Sequence, residues 1–132
     1  MAKNYPRWAH ARYENAVLGG AISTITLSDP YGRNFLPQGA IILGGTIDII
    51  VQPVGASATI ALGTSAGSST TSLKGATAIA SWTVGQLALV PIFTAATYVK
   101  LTAAGSITTT IATTALTAGI FEVHLLYVVS SQ

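Results

Sequence analysis

For acid–base or metal chemistry the chain offers two histidines, His10 and His124, and four carboxylates, Glu14, Asp29, Asp48 and Glu122. It has no cysteine, which removes thiolate nucleophiles, thiolate metal sites and disulfides from consideration. Neither histidine lies in a Gly-x-Ser-x-Gly elbow or a comparable frame, so no nucleophile is paired with a base and an orienting group. Nothing in the spacing of the carboxylates marks an acid/base pair. Glu122 and His124 are two residues apart in a segment that reads as a strand, so both project from one face, as two metal ligands would. Such pairs more often belong to a solvated or hydrogen-bonded face, and that reading is adopted. The run GTSAGSST at 63–70 has glycines and hydroxyls but lacks the Gly-Lys-Ser/Thr ending of a phosphate-binding loop, and reads as a surface loop. The expectation is a chain with no catalytic residue, no cofactor and no bound metal.

Residues suited to contacts are easier to find. The first fifteen residues, MAKNYPRWAHARYEN, mix basic and aromatic side chains, are interrupted early by Pro6 and show no clear period. They read as an N-terminal arm (1–15) ahead of a single domain (16–132). An arm of this composition is either a frayed terminus or a docking element whose aromatics fill pockets and whose arginines pair with acidic groups. On the second reading Tyr5, Arg7, Trp8, Arg12 and Tyr13 are the first candidates for partner contact. Tyr31 and Arg33, in a turn-rich loop at 28–38, come next. Basic residues interleaved with aromatics would also suit a nucleic-acid strand, but no second basic cluster accompanies them, and no nucleic-acid partner is expected. Trp82 with the Thr-rich loops could serve a glycan-binding module, although a core or interface role is the commoner fate of such a tryptophan.

The elements that must position these residues are strands. Residues 46–52 alternate, with Ile47, Ile49 and Val51 on one side and Thr46, Asp48 and Gln52 on the other. Ala58, Ile60 and Leu62 repeat the pattern after a turn at 53–57, so 36–63 reads as two strands of one core, a hairpin. Gly44-Gly45 within it marks a bulge or a close backbone approach. Residues 22–27 form a first short strand, 73–82 is ambiguous between helix and strand, and 87–92 ends near Pro91 in a way that suits an edge. Residues 98–102 and 107–113 read as a second hairpin. The clearest strand is 119–130, with Phe121, Val123, Leu125, Tyr127 and Val129 on its core face. About seven or eight short strands at this spacing predict an all-β, antiparallel β-sandwich.

Only 8% of the residues are charged, against roughly 25% in ordinary soluble domains. With so few charges, the net charge of +2 says little about partners. The mean hydropathy is high for a lone monomer, which predicts that partners cover part of the surface. No signal peptide is expected, because Glu14 and Gly19-Gly20 spoil the apolar run at 16–27. No transmembrane helix is expected either, because Asp48, Gln52, Pro53, Glu122 and His124 interrupt the apolar tracts.

Four phrases taken together, LPQGAIILGGTIDIIV (36–51), ATIALGT (58–64), ATYVKLTAAGSITTTI (96–111) and LTAGIFEVHLLYVVSS (116–131), resemble the capsid decoration or cement proteins of tailed bacteriophages and related head-fibre bases. The resemblance implies a jelly-roll-like sandwich assembled as a homo-oligomer, a trimer before a dimer, on the outer capsid surface of the virion. It also implies a role in bridging major capsid protein subunits, with no catalytic residue to carry over, and the residues themselves give no membrane and no nucleic-acid partner. A tail or fibre-base component is the alternative within structural proteins, and a glycan- or ligand-binding β-sandwich the alternative outside them.

Overall fold

The computed structural model describes residues 6–29, 31–88 and 98–129. In chain order they form β1 (Arg7–Glu14), a single helical turn α1 (Asn15–Leu18), β2 (Ser23–Thr26), β3 (Ala40–Val54), β4 (Thr59–Thr64) and β5 (Lys74–Ala78). A 3₁₀ turn (Ile79–Ser81), β6 (Gly85–Ala88), β7 (Val99–Lys100), β8 (Ile107–Ala112) and β9 (Ala118–Val129) follow. One sheet has the order β1-β9-β3-β6, with β7 also pairing β3, and the second has the order β2-β8-β4-β5. Every pairing is antiparallel. The fold is therefore the antiparallel β-sandwich that the alternating segments predict. No described helix is long and apolar enough to cross a membrane.

The core forms where the inward faces of the two sheets meet. Ala9, Ala11 and Tyr13 of β1, Ile47 and Ile49 of β3, and Phe121, Val123 and Leu125 of β9 pack toward Ile60 and Leu62 of β4 and Ile107 and Ile111 of β8. Trp82, just past the 3₁₀ turn, is wholly buried against Phe121. That position removes Trp82 as a sugar platform. Its indole Nε1 finds no hydrogen-bond partner among the described residues.

The structure corrects the sequence reading in four places. Residues 7–14 are not an arm but β1, an edge strand paired along its whole length with β9. The inward residues at its centre are two alanines, too small to show an apolar period, which is why the strand was not visible. Second, 36–63 is not a hairpin: β3 and β4 lie in different sheets, and the chain crosses between them at 55–58. Third, β7 and β8 likewise belong to different sheets. Alternation reveals which face a strand buries, but not which strand lies beside it, and in a sandwich the next strand can be across the core. Fourth, Val51 does not share the core face of Ile47 and Ile49. The β3–β9 register slips between Ile49 and Val51, and Val51 turns outward, 41% exposed. A similar slip between Ile42 and Gly44 confirms the bulge expected at the glycine pair. It also moves the buried positions of β3 from even numbers (Ala40, Ile42) to odd ones (Ile47, Ile49). The ambiguous 73–82 segment is a strand followed by the 3₁₀ turn. The apolar run at 87–92 lies mostly outside the described residues.

Candidate functional site

The outward face of β9 carries Glu122, His124 and Leu126, and its two neighbours supply the flanks. On one side Trp8, His10 and Arg12 of β1 stand opposite Leu126, His124 and Glu122. On the other, Gly44, Thr46 and Asp48 of β3 stand opposite the same three residues. Directly opposed side chains on one face of an antiparallel pair are close enough to interact. The strand register thus gathers both histidines and three of the four carboxylates of the chain on or beside one surface. The fourth, Asp29, arrives from the loop before β3. That loop is tied to β1 by reciprocal backbone bonds between Arg12 and Ser28 and by a bond from the His10 N–H to the Arg33 carbonyl.

Within this surface the polar groups are extensively paired. Arg12 Nη1 donates to Glu122 Oε2 at 2.7 Å, while its Nε and Nη2 donate to Glu14 Oε1 at 3.3 and 3.2 Å. Arg33 grips Asp29 with Nε and Nη2, each at 2.9 Å, and with its backbone N–H at 2.6 Å. Two parallel bonds from a planar guanidinium give this pair a fixed geometry. Asp29 Oδ1 also lies 3.1 Å from His10 Nδ1. A carboxylate only accepts, so a proton on His10 Nδ1 serves this contact, the longer approach of the Arg33 Nη2 donor to the same nitrogen being 3.4 Å, and Nε2 faces Glu122 Oε1 at 3.5 Å. The rings of His10 and His124 lie 4.8 Å apart. Beside them an open groove of about 560 Å³ is lined by Trp8, Ala9, His10, Arg33, Thr46 and His124.

The electrostatics follow from these contacts. The hydrogen bond from Arg33 holds the Asp29 carboxyl well below the usual carboxylate range, against the opposing effect of burial. For Glu122 burial acts to raise the pKa, but the hydrogen bonds from Arg12 and His10 and the charges of both outweigh it. Because the folded-state pKa of Asp29 lies below its unfolded value, its contribution to stability is fully present above about pH 4. It is lost only as the pH falls toward the lowered value. Replacing Asp29 with Asn is expected to destabilise the fold by about 1–3 kcal/mol. The cost should lie toward the low end, because Arg33 is half exposed and can be resolvated. Urea unfolding at pH 7 checks this, and an unchanged midpoint would mean that the loop is held without the carboxylate.

The contact residues expected from sequence separate clearly. Trp8 is 63% exposed on the outward face, and Arg12 and Arg33 lie close by in the paired network. Tyr31 is largely exposed, with the Arg33 guanidinium 5.0 Å from its ring centre. Arg7 is exposed at the start of β1. Tyr13 points inward, fully buried, stacked on Phe121 and donating to the Gly19 carbonyl at 2.7 Å, so it has no surface to offer a partner. Tyr5 lies outside the described residues. Sequence reasoning paired Glu122 with His124 but missed His10 and Asp29, which only the β1–β9 register and the docking of the 28–34 loop bring to them.

No protein-family model matches the chain, and no curated protein matches it. Among solved structures it is similar to a chain of the acidic stable capsid structure of Helicobacter pylori bacteriophage KHP30. That likeness has a TM-score of 0.64 at 10% identity and covers 96% of this chain and 89% of that one. A chain of the cyanophage Pam1 capsid asymmetric unit matches with a TM-score of 0.63 at 19% identity, covering 96% and 86%. A chain of the capsid of Ralstonia phage GP4 matches with a TM-score of 0.62 at 16% identity, covering 97% and 86%. At these identities the likeness is one of fold, and it spans nearly the whole sandwich.

Proposed function

We propose that the chain is a structural protein of a bacteriophage virion that decorates the capsid and bridges its major capsid subunits. The observation that carries this reading is the full-length likeness of its fold to chains in three phage capsid structures. The strand order supports it. Setting aside the two-residue β7, the chain makes two four-stranded sheets, β1-β9-β3-β6 and β2-β8-β4-β5, the arrangement of a jelly roll, a fold that recurs in viral capsid proteins.

The surface fits the same role. Val17, Ile22, Phe35, Val51, Val54 and Val84 are all more than 40% exposed, and a chain with so few charges gains by covering such side chains with neighbours. The proposed assembly is a homo-oligomer, a trimer before a dimer, on the outer surface of the shell. Several modest contacts made by one oligomer would then combine through effective concentration. The capsid contact is assigned to the outward face of β1 and the adjoining loop, through Trp8, Arg12, Tyr31 and Arg33. An exposed tryptophan beside arginines has the composition of a binding hot spot.

Co-sedimentation with capsids assembled from the major capsid protein of the same phage tests the reading. The wild-type chain is expected to pellet with capsids in copies comparable in number to the capsid subunits. The Trp8→Ala, Tyr31→Ala double variant is expected to lose at least about tenfold in affinity, the loss of one or more hot-spot residues, with its circular dichroism unchanged. Failure of the wild-type chain to bind capsids would overturn the decoration role. A few copies per particle would point instead to a tail or fibre-base part.

A further inference from the structure

We propose that His10, His124 and Glu122 form a binding site for one divalent transition-metal cation, with zinc as the reference ion. The three residues offer His10 Nε2, a His124 ring nitrogen and a Glu122 carboxylate oxygen, all within 4.8 Å of one another. Glu122 Oε1 lies 3.5 Å from His10 Nε2 and 3.7 Å from His124 Nε2. Zinc held at bond lengths of about 2.0–2.1 Å in a tetrahedron places its ligand atoms about 3.3–3.4 Å apart. Two edges of the triangle therefore already approach that spacing. His124, 37% exposed, can turn to close the third.

The groups behind the ligands are arranged as a metal site requires. Asp29 can accept from His10 Nδ1, the carboxylate–histidine arrangement of metal sites. A cation would take the Nε2 lone pair in place of the proton that Nε2 otherwise shares with Glu122. Arg12 occupies Glu122 Oε2 at 2.7 Å and so orients the other oxygen, Oε1, toward the two imidazoles. Two imidazoles and one carboxylate select zinc, nickel or copper over magnesium and calcium, which take oxygen ligands. The groove bordered by His10 and His124 leaves the fourth position open to water. The charges of Arg12 and Arg33 work against a cation, and those of Asp29 and Glu14, each held within the same network, offset them. A bound ion would join edge strand β1 to the central strand β9, the two elements that supply its ligands. The metal proposal does not rest on the capsid role, although the two share one face: Trp8 and Arg33 line the groove beside the histidines and Arg12 holds Glu122.

The test uses the full chain without a histidine tag, titrated calorimetrically with zinc chloride and, separately, with magnesium chloride. One equivalent of zinc is expected to bind saturably and to raise the unfolding temperature, while magnesium does neither. Glu122→Gln, close in shape to the native residue, and His124→Ala, at a half-exposed ring, should each weaken zinc binding by at least about tenfold. Asp29→Asn, which leaves all three ligands in place, should weaken it by about 10–100-fold, the usual effect of losing such a supporting partner. No saturable zinc binding would overturn the proposal. So would stoichiometric binding that both ligand variants leave unchanged while their circular dichroism matches the wild type.

Discussion

Phe121→Ala is expected to cost about 3–5 kcal/mol of folding stability, a large share of the roughly 5–15 kcal/mol that holds an ordinary domain folded. Phe121 sits on β9, between β1 and β3, and is wholly buried. Its ring stacks on Tyr13 with centroids 5.1 Å apart and meets Trp82 at 5.0 Å with the planes tilted by 53°. Removing it therefore leaves a cavity and takes away both aromatic contacts, which contribute beyond the buried area. Tyr13 would feel the loss most, because its hydroxyl is anchored to the Gly19 carbonyl and to Asn15 and cannot follow its ring into the void. Urea denaturation should show a lower midpoint with little change in slope. Phe121→Leu, which keeps most of the volume, should cost much less. A cost for the alanine variant below about 1 kcal/mol would mean that the core collapses around the gap and that the three rings do not act as a unit.

Phe121 also marks how far the sequence can be read. Its alternation with Val123, Leu125 and Tyr127 identifies the core face of β9 without any structure, because strong apolar residues at period two have no other common meaning. The sandwich class follows from the same signal repeated along the chain. The signal fails where its amplitude is low or its phase is broken. Ala9 and Ala11 carry too little apolar contrast to mark β1 as a strand, and the bulge at Ile50 reverses the phase on which the burial of Val51 rested. Strand partnership is less legible still. Nothing in 36–63 or 98–113 tells a hairpin from two strands facing each other across a core, since both bury the same residues. The candidate site suffers from this directly. Glu122 and His124 could be paired by their spacing alone, but His10 is 112 positions away from Glu122 in sequence and Asp29 reaches it from a loop. Only the register that sets His10 opposite His124 and Arg12 opposite Glu122 makes them one surface.

Deleting residues 1–14 is expected to leave no soluble folded protein, whereas a detachable arm could be removed at no cost to the body. The deletion takes away the buried Tyr13, Ala9 and Ala11, and the loss of a buried aromatic alone costs several kcal/mol. It also strips β9 of every hydrogen bond it makes to β1, leaving a long apolar strand as an open edge, a template for aggregation. The loop at 28–34 would lose the Arg12–Ser28 backbone bonds and the His10 contact to Asp29 that hold it to the sheet. The combined loss should exceed about 5 kcal/mol, the lower end of what a domain has. Gel filtration and circular dichroism of the truncated chain check this, and a monodisperse, β-rich product would show that β1 is dispensable after all. If the truncated chain does collapse, its failure to bind capsids carries no information about contacts. Trp8 is the residue that can separate the two roles. It shares β1 with Tyr13 but points outward and is 63% exposed, so Trp8→Ala should change stability by no more than about 0.5 kcal/mol while still removing the largest apolar group from the proposed interface.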